Sequence, residues 1–142
     1  MKVRVKLVEG LTSIAETESG HGVVIDTSEE HGSKNLGPTL MELLLAGVAA
    51  CTAFDVALIP RKMRQPLEGL QVIARAKRRE EPPRVFTEIH LEYVVKGRVN
   101  EEKVKRAIEL SRTTWCSASN NLEKGGTRIT YSYEIIPPEQ SA

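Results

Sequence analysis

Between Thr39 and Pro60 the chain carries almost no polar side chain: Leu40, Met41, Leu43–Ala46, Val48–Cys51, Ala53, Phe54 and Val56–Ile59 are interrupted only by Glu42, Thr52 and Asp55. A helix that is apolar on nearly every face belongs inside a protein rather than on its surface. At 1.5 Å per residue such a helix runs roughly 30 Å, the full width of a small domain. The 142 residues are therefore expected to form a single domain, 1–142, built around one buried helix. The longest apolar stretch, Leu43–Ala53 with Thr52 as a mild exception, falls short of the roughly 20 residues that cross a bilayer. A chain of this length offers little sheet to cover a helix apolar on all sides. Pairing two such helices across a two-fold axis would bury the remainder, so an obligate homodimer is expected.

The rest of the chain alternates. Val3, Val5 and Leu7 interleave with Lys2, Arg4 and Lys6, the pattern of a half-buried strand. Leu11–Thr17 and Val23–Asp26 read as two further strands, and the polar Thr27–Pro38 as a loop. After the helix, Leu70, Val72, Ala74 and Ala76 mark a strand. Glu80-Glu-Pro-Pro83 marks a turn, and Val85, Thr87, Ile89, Leu91, Tyr93 and Val95 mark one face of a long strand. Asn100 caps a predicted second helix with Glu101 and Glu102 in its first turn and Val104, Ala107, Ile108 and Leu110 as its apolar stripe. A short helical turn is expected after Trp115-Cys116, then a last strand through Ile129, Tyr131, Tyr133 and Ile135. The order βββ-α-ββ-α-β with short turns predicts an α+β fold with antiparallel pairing.

The balance of 20 Lys+Arg against 19 Asp+Glu argues against nucleic acid or an anionic membrane as the main partner. The run Lys77-Arg78-Arg79 is answered at once by Glu80-Glu81 and reads as a solvated turn. Lys2, Arg4, Lys6 and Glu9 break any leader-like apolar run, so a cytoplasmic location is expected. Neither a phosphate-binding glycine loop nor a nucleophilic-serine motif occurs.

Two cysteines, Cys51 and Cys116, remain as carriers of chemistry. They are too few for a disulfide framework or a thiolate zinc site, and His21, His31 and His90 lack metal-ligand spacing to either, so no metal or cofactor is expected. Three readings stand: buried bystanders, a structural bridge, or a reactive dithiol. Ala49, Ala50 and Ala53 make an apolar slot around Cys51 that suits a buried thiol. Asp55, four residues on along the same helical face, would oppose a thiolate there. Arg61, Arg64 and Arg84 are candidate cations to favour one. Cys116 has no activating helix start visible in the sequence. Thr39-x-x-Glu42 reads as a capping box at the start of the long helix. Glu42 lies on the opposite side of that helix from Cys51, roughly 13 Å along it, so any part it plays at an active site is to orient another group or to serve a neighbouring subunit.

The run Gly37-Pro-Thr-Leu-Met-Glu-Leu-Leu-Leu-Ala-Gly-Val-Ala-Ala-Cys51-Thr-Ala-Phe-Asp-Val56 resembles the central helix of the OsmC/Ohr family of osmotically inducible and organic hydroperoxide resistance proteins. Arg79–Gly97 is similar to that family's long strand, Ala107–Ser117 to its second cysteine segment and Tyr131–Ile135 to its final strand. The resemblance implies an intertwined homodimer with antiparallel sheets wrapped around two central helices and active sites at the subunit interface. It also implies metal-free, thiol-dependent reduction of organic hydroperoxides in stress defence, with Cys51 peroxidatic and Cys116 resolving. An external dithiol would restore the pair. In the family an arginine from the N-terminal half, held by a glutamate at the start of the central helix, stabilises the thiolate. Here no arginine stands between Arg4 and Arg61, Met41 holds the family glutamate's place, and Glu42 lies one position on; Lys34 or His31 in the preceding loop is a candidate to substitute as the cation. A second reading on the same fold is a non-catalytic protein that holds a small apolar ligand at the dimer interface.

Overall fold

A computed structural model describes residues 1–62, 64 and 67–138, with Pro60 and Arg61 described in their backbone only. The chain divides into two compact units, Met1–Leu44 and Leu45–Ala142.

In the first unit β1 (Val3–Glu9), β2 (Thr12–Thr17) and β3 (Gly22–Ile25) form an antiparallel sheet in that order. Ser13 and Ala15 are buried, as alternation along β2 requires. β1 departs from the half-buried expectation: Val3, Val5 and Leu7 are 55%, 59% and 65% exposed. It is an edge strand, paired on one side only, and all of its residues are exposed. Asp26 anchors the polar loop between β3 and the long helix. Its Oδ2 accepts from Thr12 Oγ1 at 3.1 Å and from the Leu36 amide at 2.9 Å, while Oδ1 accepts from the Thr27 amide at 2.8 Å and from the Ser33 hydroxyl. These bonds, that from Ser33 foremost, hold its carboxyl down at about 2. Gly37 passes so close to β3 that a Cβ there would sit 2.7 Å from the Val24 carbonyl oxygen.

The long helix, α1, runs Leu40–Lys62, through Pro60 rather than ending before it. Its N-terminus closes as a capping box, with the Glu42 carboxylate accepting from the Thr39 amide at 2.9 Å and Thr39 Oγ1 from the Glu42 amide at 3.2 Å. The expectation of burial on every side is corrected within the single chain. Val48, Thr52 and Val56, at intervals of four, are buried, while Leu40, Leu44 and Phe54 are exposed at 67%, 44% and 65%. Counted as a helix rather than as an unbroken apolar run, Leu40–Ile59 is long and apolar enough to cross a membrane by length and composition, with mean hydropathy 1.9. Length therefore does not exclude a span, contrary to the expectation from Leu43–Ala53.

The second unit holds β4 (Gly69–Arg78), β5 (Phe86–Lys96), α2 (Glu101–Leu110), α3 (Ser117–Lys124) and β6 (Arg128–Ile136), with the sheet in the order β4-β5-β6. β4 and β5 are antiparallel, but β6 lies parallel to β5, a correction to all-antiparallel pairing. The reason is the connection: a helical crossover, not a tight turn, returns the chain to the end of the sheet from which β5 started. Ile89, Leu91, Tyr93 and Val95 form the buried face of β5 as expected. Near its start the face changes over. Arg78 pairs with Phe86 where Lys77 pairs with Glu88, and the irregularity buries Phe86 in place of Val85 and Thr87. Val104, Ala107 and Ile108 bury the inner face of α2, whose first turn is capped by the Asn100 side chain accepting from the Lys103 amide.

Candidate active site

Cys51 and Asp55 occupy one face of α1, four residues apart. Cys116 arrives from the other direction. α2 ends in a single π turn, Ser111–Trp115, closed by the Cys116 amide donating to the Ser111 carbonyl at 2.7 Å. Such a turn inserts an extra residue into the helix and so re-aims the chain beyond it. Here the chain leaves the turn with Cys116 in extended conformation as the N-cap of α3, its Sγ accepting from the Ser119 amide at 3.4 Å. The thiol thus does lie at a helix start, which sequence reading did not find because α3 was legible only as a short helical turn.

The two sulfurs and an Asp55 carboxylate oxygen all lie within 4.8 Å of one another. Both cysteines are free thiols, Cys51 half-buried and Cys116 fully buried. Burial pushes the Cys116 thiol up from its ordinary value; Ser119 hydrogen bonds draw it down, and contact with the Cys51 thiol raises it again. An open polar groove of about 360 Å³ runs alongside, between Thr113, Thr114, Ser117, Asn120 and Lys124, with Cys116 in its wall.

Behind Asp55 runs a buried chain of hydroxyls. Ser111 Oγ donates to Asp55 Oδ2 at 2.9 Å, Thr52 Oγ1 is 2.8 Å from Ser111 Oγ, and Tyr93 Oη is 2.6 Å from Thr52 Oγ1. A carboxylate accepts only, and each hydroxyl has one hydrogen to give. The direction is therefore set along the whole chain: Tyr93 donates to Thr52, Thr52 to Ser111, and Ser111 to Asp55. Burial raises the Tyr93 hydroxyl to about 12, so it remains a donor at neutral pH.

Arg112, also in the π turn, is a buried cation that sequence reading missed. Its Nη2 donates to Glu123 and, at 3.4 Å, to the Ile129 carbonyl, while Nε and Nη1 have no partner among the described residues. Its charge bears on the Tyr93 hydroxyl. The expected cations are placed elsewhere or not described. Arg84 Nε donates to the Arg79 carbonyl within its own hairpin. Lys34 pairs with Glu9 at 3.5 Å, His31 Nδ1 lies 3.0 Å from Ser28 Oγ, and the Arg61 side chain lies outside the described residues. Among the described residues no lysine or arginine forms an ion pair with Asp55. Glu42, exposed, is committed to the capping box, whose Thr39 amide lowers its carboxyl below the usual range.

A long apolar helix carrying Cys51 at its middle, and a second cysteine delivered by a crossover between parallel strands, belong to an α+β fold of the OsmC-like kind. The family model for OsmC-like proteins matches residues 31–132, and the chain belongs to that family. It is 41% identical to Protein YhfA of Escherichia coli (strain K12) over 137 residues, 96% of this chain and 98% of YhfA. Among solved structures it resembles a hypothetical protein from Aquifex aeolicus VF5, with a TM-score of 0.84, 29% identity and 96% of each chain covered. An organic hydroperoxide resistance protein OsmC from Legionella pneumophila shares the fold at a TM-score of 0.70, with 18% identity and 94% of this chain and 97% of that one covered.

Proposed function

We propose that this protein is a thiol-dependent peroxidase that reduces organic hydroperoxides in stress defence, with Cys51 as the attacking and Cys116 as the resolving cysteine. The observation that carries the reading is the pair itself: two free thiols in contact, one reachable from solvent and one sealed. The Cys51 thiolate attacks one peroxide oxygen, the O–O bond breaks, and the departing alkoxide takes a proton to leave as an alcohol. Cys51 is then a sulfenic acid. Cys116 attacks its sulfur, water departs, and a disulfide forms; an external dithiol reduces it by exchange. Burial keeps Cys116 protonated until that second step, as suits a resolving thiol.

The working form in this reading is a cytoplasmic homodimer. Its support is the apolar surface left uncovered on β1 and α1, with Val5, Leu7, Leu40 and Phe54 each more than half exposed. Glu42 holds the start of α1 through its capping box with Thr39, and its part at the site is to orient another group or to serve the partner copy. A second reading, a non-catalytic protein holding a small apolar ligand at the dimer interface, is favoured by Asp55, since a carboxylate beside the thiols opposes a thiolate.

The test is consumption of cumene hydroperoxide by the reduced, metal-free protein. Turnover is expected, with one equivalent of oxidant linking Cys51 to Cys116 in peptide mapping. Cys116→Ser should trap Cys51 as sulfenic or over-oxidised after one turnover, and Cys51→Ser should abolish consumption. Two unlinked cysteines with no loss of peroxide would leave the binding-protein reading.

A further inference from the structure

We propose that Cys51, Asp55 and Cys116 in the reduced protein form a chelating site for a thiophilic divalent cation of the Zn²⁺ or Cd²⁺ kind. This rests on the same reduced dithiol as the proposed function but not on its peroxidase activity.

Three donors from two separate elements already lie within 4.8 Å of one another. Tetrahedral zinc with metal–sulfur bonds near 2.3 Å sets its donors roughly 3.7 Å apart, so closing this set takes a movement of about 1 Å or less. The donors are held in advance. Cys51 and Asp55 share a helical face at an interval of four, and Cys116 is anchored by the Ser119 amide at the start of α3. Asp55 is oriented from behind by Ser111, itself the end of the Tyr93–Thr52–Ser111 chain, an arrangement that resembles the outer partners of metal-bound carboxylates. Ser111 engages one carboxylate oxygen, which leaves the other free for a ligand.

The same cluster suits a cation better than it suits an isolated thiolate. Two sulfurs and a carboxylate converge with no cation paired to the carboxylate among the described residues, and the two thiolates a metal requires carry the soft donor character that zinc and cadmium prefer. On binding, each thiol releases its proton to solvent as its sulfur bonds the metal. Three protein ligands leave a fourth position for water, and half-buried Cys51 gives a path from solvent. Metal and disulfide exclude each other, because the bridge consumes both sulfur donors. A bound cation would therefore hold the pair reduced and shield it from hydroperoxide.

The experiment is titration of the reduced, metal-free protein with Cd²⁺, read by the ultraviolet sulfur-to-cadmium charge-transfer band, with Zn²⁺ affinity measured against a chromophoric chelator. One equivalent per chain is expected, and none for the disulfide form. Asp55→Asn should weaken Zn²⁺ at least tenfold with the band retained, and Cys51→Ser at least a hundredfold, with unchanged far-ultraviolet circular dichroism checking that each variant folds. Absence of the band at stoichiometric cadmium overturns the proposal, as does unchanged zinc affinity in either variant. Hydroperoxide turnover is measured separately on the metal-free protein, so its failure sinks the peroxidase reading and leaves this one standing.

Discussion

The two sheets are written in the same alternating code and end differently. In β5 the odd positions from Ile89 to Val95 are almost wholly buried, while in β1 the corresponding residues Val3, Val5 and Leu7 stay more than half exposed. β5 lies between two strands, and Thr52 of α1 meets its Tyr93; β1 is an edge strand. Period-two alternation specifies which side chains share a face, but a face becomes a core only when another element lies over it. The apolar side chains of β1 therefore stay exposed in the single chain.

The largest effect expected from that contrast is in the covered sheet. Leu91→Ala should cost about 2–5 kcal/mol, the usual penalty for a cavity in a sealed core, at any protein concentration. Val5→Asp, by contrast, should weaken the pairing of two chains and move the sedimenting species from dimer towards monomer at micromolar concentration, with a loss of stability that depends on protein concentration. If a folded wild-type monomer already dominates there, the covering role given to β1 fails. A smaller loss is expected beside the site. Thr52→Val removes the middle hydroxyl of the buried chain and strips Ser111 of its donor and Tyr93 of its acceptor, at about 1–3 kcal/mol in chemical denaturation. A neutral result would mean that water replaces the missing links.

The smallest effect is a pH dependence confined to the first unit. Asp26 titrates at about 2 in the folded chain against an ordinary 3.8. A depressed folded value contributes stability that is full above the unfolded value and is lost as pH falls from near 4 towards 2. Thermal unfolding monitored between pH 5 and 2 should show wild type losing ground over that interval and Asp26→Asn losing less. Parallel curves would remove Asp26 as the anchor of the loop.

Much of the fold was legible. Every strand and the three helices fall within a few residues of the expected places, because alternation, the Asn100 cap and the Thr39–Glu42 box act between residues close in sequence. What was not legible depended on partners far along the chain. The pairing direction of β6 is set by the course of the crossover, and the burial of Phe86 by a bulge opposite Arg78. No local pattern in the sequence singles out Ser111 or Arg112. A π turn makes them buried members of the site, and only their place just before Cys116 hinted at it.

The two cysteines and the aspartate show the division most plainly. Their residue types, and the interval of four that puts Cys51 and Asp55 on one helical face, were written in the sequence, because helical geometry is local and repeats every few residues. That Cys116 meets them, with its sulfur within 4.8 Å of theirs and sealed from solvent, was decided by the tertiary structure. A contact between residues 65 positions apart depends on how α2, its π turn and α3 pack around β5, and such packing is a property of the whole unit rather than of any stretch within it.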